Sequence, residues 1–532
     1  MTASALTEGP IGKKASYLIA ARRSYTDALF SPLYQSLFNN IYNANIPEVD
    51  AGQVNVFEGE DAPTFGFFDL NAKFSFHLKE RDRLTFTLMR SADRLDMRFV
   101  QSADALSRQI TYNDQSRWGN TGMSVRYNHH WTDSTHTEFQ AGGSAFNSEL
   151  FSEDRVRNLL TGIEEVDLSE EENLLEDYSA KLAHHFYVKQ KKALIGLQTN
   201  RIGSGHVERD LTDTLEAWLH AAFAEVTTRT RIGSNVTGGM RVYAYSVTSR
   251  LYADPRLTIS QEVNEYGSIR AAFSVSHQFL QRLQPQNFAL NNPDYWQLSD
   301  GDDIPVLTAF QLSLGLRWSK NGWTIDGELY GRSTDGVKRG YAHTDSGDSN
   351  RFVTGNSSAT GFDLLVQRDF GRHHVWLASS TVMSNFSDST NSVIPESSVH
   401  NQELKLIYQV KLDKVEISAA WFFGSGKPYT PLLGTYTQPL INGDQQVLPV
   451  FGAINSGLLP VYHRLDISIA RHFVTGKTKG SLKLNFFNIY DRQNIRNFQY
   501  YAITGEDDEF ASGTRAVAML GFSPSINLSI TF

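Results

Sequence analysis

The chain closes on Ser525–Phe532, S-I-N-L-S-I-T-F, where Ile526, Leu528, Ile530 and Phe532 alternate with Ser525, Asn527, Ser529 and Thr531. A period of two places the first four side chains on one face of an extended strand and the polar four on the other. One face suits lipid and the other water. Phe68, Leu70, Ala72, Phe74, Phe76 and Leu78 alternate in the same way with Asp69, Asn71, Lys73, Ser75 and His77. Leu404, Leu406, Tyr408, Val410 and Leu412 do so with Glu403, Lys405, Gln409 and Lys411, Ile407 being the exception. Charges on the second face imply a wet interior.

A chain of 532 residues exceeds an ordinary single domain unless it forms one large sheet. Its longest apolar runs fall far short of the roughly 18–20 residues that a membrane-spanning helix needs. The remaining way to cross a bilayer is a closed barrel, which pairs every backbone donor and acceptor without water. Aromatic residues make up 12% of the chain, enough for strands and for the girdles at two membrane interfaces. The absence of Cys removes disulfides, thiolate metal sites and cysteine nucleophiles. A net charge of −9 argues against nucleic acid as a partner. Met1–Arg23 has no basic segment followed by an uninterrupted apolar core, so an exported chain of this kind is expected to be processed or truncated.

Connections alternate in length. Tight ones fall near Lys79–Asp82, Thr132–Ser134, Gln190–Lys191, Lys320–Gly322, Phe370–Arg372 and Leu412–Lys414. Long polar stretches run over 31–63, 150–173, 281–304, 333–356, 387–399, 425–460 and 492–514. Short turns on one side and long loops on the other describe an antiparallel transmembrane barrel with the long loops outside the cell. Counting from Lys14 gives about twenty strands, the first over 14–23 and the last over 516–532. No repeat of similar blades points to a propeller.

With these landmarks in place, the chain resembles, from end to end, the barrel of the TonB-dependent outer-membrane receptors, in particular the group with a carboxypeptidase-regulatory-like extension before its plug. Glu8-Gly9-Pro10-Ile11, Ser16-Tyr17-Leu18 and Arg22-Arg23-Ser24-Tyr25 look like the family's first periplasmic turn and third strand. Phe68–Lys73, Pro255-Arg256-Leu257, His277-Gln278-Phe279, Pro293-Asp294-Tyr295-Trp296 and Gly315-Leu316-Arg317 follow in the family's order. Gly424–Pro428, Tyr462–Asp466 and Asn488–Asn494 complete it. The last strand, with Ile526, Leu528, Ile530 and terminal Phe532, resembles the signal read by the barrel assembly machinery.

The resemblance implies an all-β barrel of 22 strands filled by an amino-terminal plug, in the outer membrane of a Gram-negative bacterium. With the Glu8–Ile11 turn at the start, the plug, the first strand and most of the second are expected to be missing from residues 1–532, which form one barrel unit. The implied function is uptake of a scarce or bulky nutrient: an iron chelate, a cobalamin, an oligosaccharide or a peptide. Implied partners are outer-membrane lipid, the TonB system acting through a plug, and a surface lipoprotein; no cofactor is implied. The competing readings are a plugless scaffold or passive pore within an outer-membrane assembly, and, more distantly, a soluble β-rich binding protein.

The pairs His129-His130, His184-His185 and His373-His374 do not read as chelates, because adjacent strand residues point to opposite faces. Acidic residues between Glu153 and Asp177 lack the ligand spacing and turn glycine of a calcium loop and read as a solvated outer loop. Gly424-Ser425-Gly426-Lys427 lacks phosphate-loop spacing, and no G-x-S-x-G or H-E-x-x-H motif occurs, so no enzymatic activity is expected. Tyr295, Trp296, Tyr429, Tyr436 and Phe451 lie in the long connections and are the candidate ligand contacts, as aromatic surfaces for sugars or peptides.

Overall fold

A computed structural model describes residues 2–26, 64–103, 108–159, 161–188, 191–208, 211–284, 294–341, 351–388, 392–439, 445–504 and 510–532. Among them there is no helix. The main sheet has 22 strands. Its first nine are β1 (Thr2–Ile11), β2 (Ala15–Ser24), β3 (Thr64–Lys79), β4 (Asp82–Ala103), β5 (Arg108–Thr132), β6 (Thr135–Asn158), β7 (Glu164–Val188), β8 (Lys191–Glu208) and β9 (Leu211–Arg229). The meander continues through Asn235–Tyr245, Arg250–Glu262, Gly267–Gln278, Leu307–Lys320, Trp323–Tyr341, Arg351–Phe370 and His373–Asp388. It ends with Gln402–Lys411, Val415–Gly424, Tyr462–Thr475, Thr478–Phe487 and Ser523–Thr531. Each pairs antiparallel with the strand before it, from β1–β2 to the last pair, Thr478–Phe487 with Ser523–Thr531. The remaining strand, Val393–Pro395, is a stub laid on Asn385–Ser387.

All of the strands expected from Lys14 onward are therefore present, and β1 adds to them. Glu8–Ile11 is part of β1, which corrects the turn expected there: the chain reverses at Gly12–Lys14, where Gly12 takes a φ of 63°. Pro10 donates no ladder hydrogen bond, and among the described residues β1 pairs on one side alone, with β2. The strand expected mostly missing is thus paired with β2 from Thr2 to Ile11.

Among the described residues, no pairing joins β1 to Ser523–Thr531. In an unbroken antiparallel meander with an odd number of strands, the first and last run in the same direction. Closing these edges directly would make a parallel pair. One further strand running the opposite way would be antiparallel to both.

The two faces sort as the alternation requires. Leu88 and Met123 pair on the outward face, exposed by 42% and 66%, and Leu182 and Leu197 stand opposite each other further round. The inward face carries polar groups such as Ser124 with Thr87 and Lys181 with Gln198. At the final strand, Ile526, Leu528 and Ile530 face outward opposite Leu484, Leu482 and Gly480, and Phe532 is 96% exposed.

Several stretches expected as loops are paired strands. β6 and β7 run through the acidic segment expected as an outer loop and leave only a tight turn near Gly162. Leu280–Leu283 pairs with Tyr295–Leu298, Leu432–Pro439 with Gln445–Phe451, and Ile495–Thr504 with Phe510–Ala518. Above the lipid both faces of a hairpin meet water, so the apolar alternation fades while the backbone ladder continues.

Candidate functional site at the barrel mouth

Among the described residues, the buried core does not fill the barrel. It lies against the inward side of the wall near the long connections, where Ala217, Leu219, Tyr245, Phe279 and Leu298 form one cluster. Leu298 belongs to the hairpin Leu280–Leu283/Tyr295–Leu298, which folds inward against β7, β8 and β9. Two buried amides clamp it. Asn173 Nδ2 donates to Gly205 O at 2.9 Å and to Trp296 O at 3.0 Å, while Trp296 N donates to Asn173 Oδ1 at 2.8 Å. On the other side, Gln281 Nε2 donates to Pro305 O at 2.7 Å and Gly336 O at 3.0 Å, and Lys338 N donates to Gln281 Oε1 at 3.2 Å. Leu298 N donates to Ser204 Oγ at 3.1 Å, and Tyr245 OH donates to Ser299 O at 2.6 Å. With every polar atom of these amides partnered, the hairpin is a built part of the mouth.

Beneath the hairpin sits a small titratable cluster. Tyr295 stacks on His206 at 3.8 Å between centroids and 5° between planes. Glu171 faces Glu208 across the β7–β8 ladder and is 9% exposed. Counted from Val188, Glu171 lies well past the roughly 9–11 residues that a crossing uses, so the cluster stands outside the membrane. Burial, reinforced by the Glu208 carboxylate, pushes the Glu171 carboxyl up to about 7. Burial pushes the Tyr295 phenol up to about 12, with Glu208, Asp213 and Glu171 adding to the shift, and holds His206 below its usual range. The cluster favours its neutral forms.

Of the five aromatic candidates, Phe451 ends the strand Gln445–Phe451 opposite Leu432, and the other four divide. Tyr295 is committed to His206, and Trp296 is held by Asn173 through its backbone. Tyr429 lies against Gly457, where an added Cβ would come within 2.7 Å of its ring, and contacts Phe498 at 5.0 Å. Tyr436, on Leu432–Pro439, is 52% exposed and presents a free aromatic surface. Among the described residues, no hydrogen bond or ring contact joins Tyr295 or Trp296 to Tyr429 or Tyr436.

The inward wall is lined with paired charges. Arg270 binds Asp326 through two nitrogens at 2.6 and 3.2 Å, and Arg256 reaches Glu225 at 2.6 Å. Arg241 lies 4.8 Å over Tyr243 while donating to Gln198 at 2.9 Å, and Arg464 lies 4.2 Å over Phe487. Such a lining suits a polar solute with aromatic or anionic parts.

The histidine pairs point to opposite faces as expected, but the ladder adds what strand periodicity cannot show. His130 pairs with His136, and His136 with His185, so three imidazoles from β5, β6 and β7 stack side by side at 5.1 and 4.1 Å. Their outward neighbours behave differently: His129 binds Asp82 at 2.6 Å and His184 meets Thr137 at 2.8 Å. The placement of His130 and His136 on either side of the Thr132–Thr135 turn was the available sequence signal. Among the described residues, no group of three or more His, Cys, Asp or Glu side chains is arranged to hold a metal ion.

No family model matches the sequence, and no curated protein matches it. Solved structures do. The outer membrane transporter YddB from Escherichia coli superposes with a TM-score of 0.63 at 10% identity, over 99% of this chain and 74% of that one. A mutant of the ferric enterobactin receptor of Pseudomonas aeruginosa gives 0.66 at 12% identity, over 99% and 77%. The ferric-catecholate import receptor Fiu of E. coli K12 gives 0.63 at 11%, over 99% and 79%. At these identities the likeness concerns architecture: the fold of this chain is that of the outer-membrane receptor and transporter barrels.

Proposed function

We propose that the chain is the barrel of a TonB-dependent outer-membrane importer that takes up a bulky, scarce solute. The observation that carries this reading is the meander itself, whose inward face bears paired charges rather than a packed core. A sheet of this many strands encloses a lumen too wide for its own side chains to fill. Such a lumen conducts passively unless something gates it. In this reading the gate and the TonB contact are supplied by a plug, and the wall supplies the conduit and the mouth. The similar solved structures named for ferric enterobactin and ferric catecholates favour an iron chelate among the solute classes. The exposed ring of Tyr436 and the lumenal arginines fit an aromatic, anionic chelate.

The test is accumulation of a labelled ferric chelate in cells making either the 532-residue chain or a longer chain with a plug, with and without a proton-motive force. Energy-dependent accumulation only with the plug is the expected result. Energy-independent leakage from both forms would establish the passive pore instead. Energy-dependent uptake by the 532-residue chain alone would refute the division of labour between wall and plug.

A further inference from the structure

The outward face of β2–β6 changes character abruptly along the strands. One cross-strand row reads Ile19, Ala72, Leu88, Met123 and Gly143 and belongs to the lipid band. The next row toward the long connections contains Arg90, the one after it Arg23, and the third sets Arg94 beside Arg117. Every second residue shares a face, so all four guanidinium groups stand on the same outward surface as Leu88 and Met123. They surround a concavity of about 1130 Å³ whose acidic members on that face are Asp96 and Glu149.

The concavity is built into the sheet. Ala92 and Gly119 are direct partners on its floor, and a Cβ on Gly119 would lie 2.7 Å from Ser91 O, so only glycine fits. Its charges are unbalanced. Arg94 is held by Asp96 at 2.7 Å, and Glu149 accepts from Asn147 Nδ2 at 3.0 Å. Arg90 and Arg117 are exposed and, among the described residues, have neither a hydrogen-bond nor an ion-pair partner.

We infer that this concavity binds the phosphorylated headgroup of an outer-leaflet lipid whose acyl chains lie along Leu88, Met123 and their row. The planar guanidinium fork matches phosphate oxygens, and Arg90 and Arg117, exposed in the concavity with no partner among the described residues, offer two such forks to an anion. Its position at the upper edge of the apolar band is where a headgroup sits when its chains are in the bilayer. The continuous apolar row below selects a lipid over a free anion, which would gain nothing from it. The inference rests on the outer-membrane placement and is independent of import.

The experiment uses the full chain, extracted in detergent and delipidated, with retained lipid read by native mass spectrometry. The probe is diphosphorylated lipid A, compared with the same glycolipid after its phosphates are removed, and with inorganic phosphate as competitor. The wild-type chain is expected to retain the phosphorylated form and lose the dephosphorylated one, a comparison that needs no variant. The double variant Arg90→Gln/Arg117→Gln should lower retention about thirtyfold, at roughly the worth of one surface cation each. Arg126→Gln, on the inward face of β5, should change nothing. Equal retention of both glycolipids, equal retention by the double variant, or full displacement by inorganic phosphate would each overturn the assignment.

Discussion

Leu406→Arg should destabilise the barrel far more than Lys405→Leu, although the two positions are adjacent. Leu406 stands between Leu377 and Trp421 on the outward face and is 43% exposed. Lys405 points inward and reaches Glu403 at 2.9 Å. From the turn after Lys411, Leu406 is about 20 Å along the strand, or about 15 Å in depth after tilt, close to the middle of an apolar band about 25 Å tall. An Arg there costs about 2–4 kcal/mol. Losing a half-exposed ion pair costs about 1 kcal/mol at most. The difference, about 2 kcal/mol, is about thirtyfold in the folding equilibrium. Leu412→Arg, at the interface, should cost under about 1 kcal/mol. The assay is urea titration of protein folded into lipid vesicles, read by the mobility difference between unheated and boiled samples. Equal midpoints for Leu406→Arg and Lys405→Leu, at equal denaturant slopes, would refute the assignment of faces.

Phe532→Ser, or deletion of Ser525–Phe532, should reduce membrane levels more than an equal change in an outer hairpin, because the last strand would otherwise leave Thr478–Phe487 as an unpaired edge in lipid; quantitative fractionation decides, and equal levels would count against it. Glu171 gives a pH dependence. Its carboxyl binds a proton more tightly under the docked hairpin, near 7, than at its ordinary 4.5, so docking weakens as pH rises through that window, by no more than tenfold per pH unit. His206, held below its usual range, acts in the opposite sense on acidification. Hydrogen-exchange protection of Leu280–Leu283 and Tyr295–Leu298 should fall from pH 6 to 8 in the wild type and stay level in Glu171→Gln; parallel profiles would remove Glu171 from this role.

Legibility in the sequence followed the surroundings of each segment. Inside the bilayer the contrast between lipid and lumen imprints a period of two, so segments such as Phe68–Leu78 and Glu403–Leu412 reveal strand, face and register at once. Outside it the contrast disappears. The ladder between β6 and β7 therefore looked like an acidic loop, although its backbone is as regular as the membrane part. At the mouth the aromatic residues were visible but their commitments were not. Nothing local to Tyr295 indicates that His206 will stack on it, since that contact depends on how a hairpin folds back over β7–β9. The histidine row is a matter of alignment between strands, and each strand read alone contains only a third of it.

Wall height varies round the barrel. β5, β6 and β7 are 25, 24 and 25 residues long, whereas Gln402–Lys411 and Val415–Gly424 have ten each. At about 3.3 Å per residue and a tilt near 40°, the tall side rises to about 60 Å and the low side to about 25 Å. The low side carries the separate hairpins Leu432–Pro439/Gln445–Phe451 and Ile495–Thr504/Phe510–Ala518. The rim is thus a step, tall on one side and, on the other, low with two separate hairpins inserted between its strands. For an importer of the kind proposed, such a step would let a large cargo approach obliquely, along the tall palisade and over the low side, without any wall strand having to part.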